Sequence, residues 1–305
     1  MIDPLHAPIR ALALLLPVLA VPALAQNAAL APPDSAATET TVLTQAVSPP
    51  DTVAAAPASE VSAVRTGLLA GGATLLGAME LTRRTQDERR LVGPFDVEVE
   101  WAYARGADKL GHIYSTGVQA EAWAAGYRWA GHSPTASADL GAITAFAFML
   151  HYEVLDGYGR REVFDPSDVV SNAVGAGLVA LRPRVPALEA ARLKLSYVPS
   201  GDPCDASCDY EGQTMWLAVT PRRVAPEAAW LPPWLAVAVG YGVREGSAAA
   251  GGFDEQHVTL ALDLDPDGLP LSGRVWEAVR PVLRRVHLPS PGVRLTPRPS
   301  FVLAF

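Results

Sequence analysis

Asp108-Lys109-Leu110-Gly111-His112, then His151-Tyr152-Glu153-Val154-Leu155-Asp156-Gly157, then Asp165-Pro166-Ser167-Asp168, Asn172 and Gly175, are polar points in sequence that is otherwise apolar or small. Acids and a histidine set into apolar helices are costly unless they are paired, hydrogen-bonded or used. The stretch therefore marks a polar site inside a helical fold. Asp108 and His112 are four residues apart and share one helix face, and Asp168 and Asn172 repeat that spacing. Glu153 and Asp156 stand at the end of their helix, whereas Asp108 and Asp168 stand at the starts of theirs. In an up-down bundle those ends coincide. Asp108, His112, Glu153, Asp168 and Asn172 are expected to form one cluster.

Four readings of such a cluster remain open. Asp108 and Asp168 suit helix caps, and Asn172 suits a buried partner that fixes the bundle. Asp, His and Glu on facing helices also suit a divalent metal such as Zn²⁺ or Mn²⁺, although the repeated Glu-x-x-His of di-iron bundles is missing. Asp108, His112, Glu153 and Asp168 are candidate catalytic residues, with a buried Glu153 of raised pKa beside His112. Lys109, Arg160 and Arg161, flanking Asp156 and Asn172, are candidates for binding an anionic headgroup. No nucleophile elbow surrounds Ser115 or Ser171, and no glycine loop carries a phosphate-binding lysine.

Outward from this stretch, the first helix is expected over 61–82, the second over 108–130, the third over 137–155 and the fourth from Ser167 to before Pro183. Gly67-Leu-Leu-Ala-Gly71 predicts a close helix–helix approach, and Gly71→Leu is then a destabilising change. Arg83 and Arg84 suit the C-terminal dipole of the first helix. The apolar run of that helix leaves both a membrane helix and a buried helix of a soluble bundle open. Strand-like alternation follows at 213–219, 234–243 and 257–265, with an amphipathic helix at 272–286 and a last alternating strand at 301–305. Three or four strands are too few for an outer-membrane barrel.

At the other end, Arg10, an apolar run to Ala23 and Ala23-Leu24-Ala25 ahead of Gln26 form an export signal. The Ala/Pro-rich stretch that follows cannot offset its ordering entropy and is expected to be a disordered tether. The expected organisation is thus 1–25 signal peptide, 26–60 linker, 61–183 helical bundle and 184–305 a C-terminal segment with short strands. The fold class is mainly α, a four-helix membrane-associated bundle followed by a smaller β-containing segment. The net charge of −8, from 32 acids and 24 bases with no basic stripe, excludes nucleic acid as the natural partner. A membrane or cell-envelope component is expected instead. Cys204 and Cys208 are expected to form a local disulfide in an oxidising compartment.

Asp108-Lys109-x-Gly111-His112, Glu153-x-x-Asp156-Gly157 and Ser167-Asp168-x-x-x-Asn172-x-x-Gly175 resemble the YfiM-like family of predicted periplasmic lipoproteins of unknown function. The same order of residues is similar to the wider VanZ-like membrane proteins, which are associated with glycopeptide resistance. Tyr210-x-Gly212-Gln213-Thr214-x-Trp216-Leu217 and Leu262-Asp263-Leu264-Asp265 look like the C-terminal part of longer YfiM-like members. The chain departs from the lipoprotein pattern because no cysteine follows the cleavage site. The resemblance implies a cell-envelope protein of unknown activity, a structural or ligand-binding bundle. The enzyme alternative is a metal- or carboxylate-dependent hydrolase acting on a lipid or cell-wall precursor.

Overall fold

The computed structural model describes residues 60–86, 91, 94–159, 162–201, 207–244 and 255–305. The expected leader and tether, Arg160, Arg161 and Cys204 lie outside the described residues.

Four long helices are present: α1 Ala63–Gln86, α2 Ala107–Trp129, α3 Pro134–Asp156 and α4 Pro166–Leu181. Local chemistry sets their starts. Ser133 caps α3 by accepting from the Ala136 N–H, and Asp165 caps α4 by accepting from the Ser167 N–H. Each cap is followed by a proline, which lacks the N–H that a first turn leaves unused. Before α2 the chain makes a left-handed turn through Ala104, Arg105 and Gly106, with φ of 45°, 52° and 81°. Two of these residues carry a Cβ, at a cost of roughly 1–2 kcal/mol each. The turn is held from the other half of the molecule, where Tyr241 donates to the Arg105 carbonyl and Val243 packs on Ala104 and Ala107.

Helices α2, α3 and α4 pack mutually, and α1 lies on α2 and α3. The close approaches differ from the expected ones. A Cβ added at Gly141 would stand 2.4 Å from the Ala120 carbonyl oxygen, and one at Gly175 would stand 2.3 Å from that of Ile113. Both α3 and α4 therefore seat on α2 through a glycine. At Gly67 and Gly71 an added Cβ would meet nothing within 4 Å. The expected Gly67–Gly71 contact is thus corrected: both glycines face outward on α1, as do Val64, Leu68, Leu75, Leu76 and Met79. An all-round apolar helix has no sequence signal for which stripe is covered. Gly175→Val is expected to cost about 1–3 kcal/mol or more, because backbone rather than a movable side chain opposes it. Gly71→Leu is expected to leave the melting temperature unchanged. Thermal melts of the two variants, compared with the wild type, check this pair.

The C-terminal half is a six-stranded antiparallel meander in the order β1 to β6: β1 Ala191–Tyr197, β2 Gln213–Val219, β3 Leu235–Arg244, β4 Glu255–Leu264, β5 Ser290–Arg294 and β6 Ser300–Ala304. The short α5 Pro221–Val224 and α6 Arg274–Leu283 interrupt it. The expectation of three or four strands is corrected to six. β1 was missed because Arg192 and Lys194 dilute its apolar pattern. β5 was missed because Pro291 reads as a strand breaker. Pro291 is tolerated because pairing with β4 involves only Gly292–Arg294, so its missing N–H breaks no bond to that strand.

The polarity of this sheet is reversed relative to a soluble sandwich. One row crosses all six strands by direct pairing: Leu193, Leu217, Val239, Leu260, Val293 and Phe301. Leu217, Val239, Leu260 and Phe301 of this row are 51%, 47%, 42% and 92% exposed, whereas Met215 and Val243 on the same face are buried against α2 and the turn before it. The opposite face is small and polar. Ala218, Ala238, Ala261 and Gly292 are paired neighbours there, and Trp216 packs among Ala218, Ala238, Ala261 and Ala304. Buried with them are Lys194 and Asp263, 2.8 Å apart, and His287, whose ring stacks on Trp216 at 3.8 Å. Residues Arg285–His287 run along the free edge of β1, with the Leu195 N–H donating to the Arg285 carbonyl and the His287 N–H donating to that of Leu195.

Helix α2 is the seam between the two halves. Tyr114 donates to the Arg285 carbonyl, while the Arg285 guanidinium reaches Glu121 and the Gly117 carbonyl. At the start of α2, Tyr210 reaches across to Asp108. The sheet is thereby anchored on the same helix that opens the polar cluster.

Candidate functional site

The cluster is built on Lys109. Its ammonium donates to Asp108 Oδ2, Asp165 Oδ2 and Asp168 Oδ1, each at 2.7 Å. All four residues are buried. Asp165 also accepts from the Ser167 N–H and hydroxyl and from the Glu100 N–H. Asp108 accepts from the Tyr210 hydroxyl at 2.6 Å. His112 lies behind this group, one turn along α2. Its Nδ1 is 3.1 Å from Asn172 Oδ1 and 3.4 Å from Glu153 Oε1, and its Nε2 is 3.5 Å from Asp168 Oδ1 and 3.6 Å from Asp108 Oδ1. Asn172 in turn donates to Glu153 at 3.1 Å and accepts from Thr116 at 2.7 Å.

A second charged group adjoins the first. Arg84 is fully buried and pairs with Asp156 and with Glu80, its guanidinium lying 4.2 Å over the Tyr152 ring. Arg84 stands in the last turn of α1, as expected, but is buried there. It ties α1 to the end of α3. Arg83 keeps a surface pairing with Glu80.

The structure brings Asp108, Lys109, His112, Glu153, Asp168 and Asn172 together, and it places Asp156 beside them on Arg84. Arg160 and Arg161 lie outside the described residues. The headgroup reading of Lys109 is corrected: all three of its protons go to carboxylates, which leaves none for an external anion. Asp165, Thr116 and Tyr210 were not among the expected site residues. Asp165 was legible only as a cap, and Tyr210 is 102 residues from its partner. Cys208 is disulfide-bonded.

Burial dominates the electrostatics. The Glu153 carboxyl is pushed up to about 9 by desolvation, helped by the nearby Asp168 and Asp156 and opposed by the Asn172 hydrogen bond. It is therefore protonated at neutral pH. Asp156 and Asp168 are each pushed up to about 6, again mainly by burial, with Arg84 and His112 respectively opposing the shift. Burial acts against the Lys109 charge, but its bonds to Asp108, Asp165 and Asp168 outweigh this and raise its pKa. Burial would likewise raise Asp165, yet the Lys109 and Ser167 hydrogen bonds hold it below the usual carboxylate range.

Ligand atoms of Asp108, His112 and Asp168 all lie within 4.8 Å of one another, a spacing that one cation can bridge. The Lys109 ammonium already bridges Asp108 and Asp168 at 2.7 Å. A divalent ion there would compete with a covalently tethered cation for the same oxygens. The geometry is that of a carboxylate cluster neutralised from within.

Residues 99–184 match the family described as predicted periplasmic lipoprotein (DUF2279). The matched segment contains α2, α3 and α4, together with Asp108, Lys109, His112, Glu153, Asp156, Asp165, Asp168 and Asn172. It leaves out α1, with Arg84, and the whole sheet, with Tyr210. The protein is exported, and it is periplasmic or associated with the cell envelope. No similar chain was found among curated proteins or among solved structures.

Proposed function

We propose that this is a membrane-docked structural or ligand-binding protein of the cell envelope, in which the Lys109 cluster holds the helices together and the outward face of the sheet rests on lipid. The reversed polarity of the sheet carries this reading. A monomer in water buries most of its large apolar side chains, whereas here Leu217, Val239, Leu260 and Phe301 are exposed side by side while alanines and glycines lie on the covered face. Further support comes from α4, whose Val170, Val174, Leu178 and Leu181 are exposed at helical spacing with no charge between Asp168 and Arg182. Among the described residues one helix, α3, is long and apolar enough to cross a membrane, and like α2 it packs against the other three. The YfiM-like and VanZ-like patterns belong to this reading through the cluster residues they share. The comparisons lend the hydrolase alternative nothing, and the Lys109 ammonium already occupies the Asp108 and Asp168 oxygens that a metal would need.

Vesicle flotation tests the docking. Wild-type protein is expected to float with vesicles of phosphatidylethanolamine and phosphatidylglycerol. The double variant Val239→Asp, Leu260→Asp is expected to lose most of the bound fraction while retaining its circular dichroism. A wild type that stays in the soluble fraction would sink the proposal. So would a soluble dimer that the same two substitutions dissociate, because the row would then be a protein interface.

A further inference from the structure

The small, polar face of the sheet lines a half-open cavity of about 490 Å³ that the Lys109 cluster does not reach. Ser196, Thr214, Arg244, His257, Thr259 and Arg294 supply its polar lining. Register places the three bases on this one face. His257 is paired with Gly242, two residues before Arg244, and Thr259 is paired with Arg294. The His257 ring lies over Gly242, where a Cβ would come within 2.4 Å of it. A side chain at Gly242 would displace the ring.

These two arginines differ from the eight in this chain that pair with an acid. Arg83, Arg84, Arg184, Arg192, Arg223, Arg280, Arg284 and Arg285 each pair with an acid. Among the described residues, neither Arg244 nor Arg294 has an ion-pair partner, and the Arg294 Nε is buried with no hydrogen-bond partner. Glu211 also lines the cavity, and Glu255 is the cross-strand neighbour of Arg244 at the exposed strand end. His257 is pressed down to about 4, by burial first and then by Arg294 and Arg244, so it is neutral at physiological pH. Arg294, half-buried with its Nε covered and unpartnered, and the exposed Arg244 thus offer donors to an anion in a chain of net charge −8.

We propose that this cavity binds a phosphate ester, its phosphate held by the Arg244 and Arg294 guanidiniums with the Thr214 and Thr259 hydroxyls as further donors. Two forked cations, one on the strand at each side of β4, line the same cavity and suit a tetrahedral dianion. The cavity exceeds the size of a bare phosphate, and Val302 and Phe305 give its wall apolar surface for an organic substituent. The site stands apart from the proposed docking face, which is the other side of the same strands.

The test is calorimetric titration of the whole exported chain with inorganic phosphate, glycerol phosphate and monomeric dihexanoyl phosphatidylglycerol. At least one of them is expected to bind. Arg294→Ala and Arg244→Ala are each expected to weaken that binding at least about tenfold, the loss of one charged hydrogen bond. Arg294→Lys should retain part of it, and Arg184→Ala, remote from the cavity, should retain all of it. Tightest binding of the lipid identifies a headgroup, and tightest binding of glycerol phosphate identifies a soluble ester. Binding of none of the three, or tightest binding of bare phosphate, overturns the proposal. So does binding that both arginine variants leave unchanged. Should Arg294→Ala fail to fold, Arg244→Ala, at the solvent-exposed end of its strand, decides alone.

Discussion

Lys109→Met is expected to destabilise the protein by about 3–5 kcal/mol, the usual result of removing one partner from a buried ionic group. Methionine keeps the length of the lysine stem and removes only the charge and its three donors. Asp108, Asp165 and Asp168 would then face one another without the ammonium that now stands 2.7 Å from each. Part of the cost would be avoided by protonation, most readily at Asp168, whose pKa is already raised. Adding Asp168→Asn to Lys109→Met should therefore recover part of the loss, whereas Asp168→Asn alone should destabilise. Denaturant melts of the four proteins in this cycle measure the coupling directly. A loss below about 1 kcal/mol for Lys109→Met would mean that the carboxylates are neutralised by something else, and a bound divalent cation would become the leading explanation.

Glu153→Gln is expected to flatten the pH dependence of stability between about pH 7 and pH 9. The sign follows from the direction of the shift. Glu153 has a folded pKa of about 9 against an ordinary value of 4.5, so the folded state holds a proton that the unfolded chain releases. Its contribution is fully present below 4.5 and is lost as pH rises through 9. Asp156 and Asp168 act in the same sense but are half titrated at about 6 and nearly complete by pH 7. The lowered His257 acts in the opposite sense, with stability gained from about 4 to 6.5, and is also complete below the window. Lys109, raised above 10.5, acts above it. Wild-type stability should thus fall by on the order of 2 kcal/mol from pH 7 to pH 9, or roughly 5 °C in melting temperature. In the variant the amide keeps both contacts, accepting from Asn172 and facing His112, with no proton to lose. Equal slopes for the two proteins would place the Glu153 pKa outside the window.

The helices were legible in the sequence because their stop and start signals are local. Ser133-Pro134 and Asp165-Pro166 mark two helix starts within a few residues. The grouping of His112, Glu153, Asp168 and Asn172 was legible from spacing and topology, which need only helix geometry. What was not legible depends on which side of an element is covered. Gly71 and Gly175 look alike in sequence, yet one meets nothing and the other meets the Ile113 backbone. Asp165 hid inside a capping motif, and Tyr210 reaches Asp108 only because the sheet returns to α2. The two missed strands carry charge or proline where a pattern search expects alternation.

The reversed sheet also changes what fixes its register. In most sheets a slip by one residue is forbidden because it would put apolar side chains into water. Here the outward row is apolar already, so that penalty is weak. Space is the stronger constraint. A Cβ at Gly240 would lie 2.5 Å from the Trp216 ring, and one at Gly292 would lie 2.9 Å from the Leu260 carbonyl and 3.1 Å from the Cβ atoms of Ala261 and Ala304. A slip would turn leucines and valines into the positions that Gly240 and Gly292 now fill, where there is no room for them. Strand alignment in this protein is thus enforced by excluded volume on the covered side, a rule that operates equally in water and against lipid.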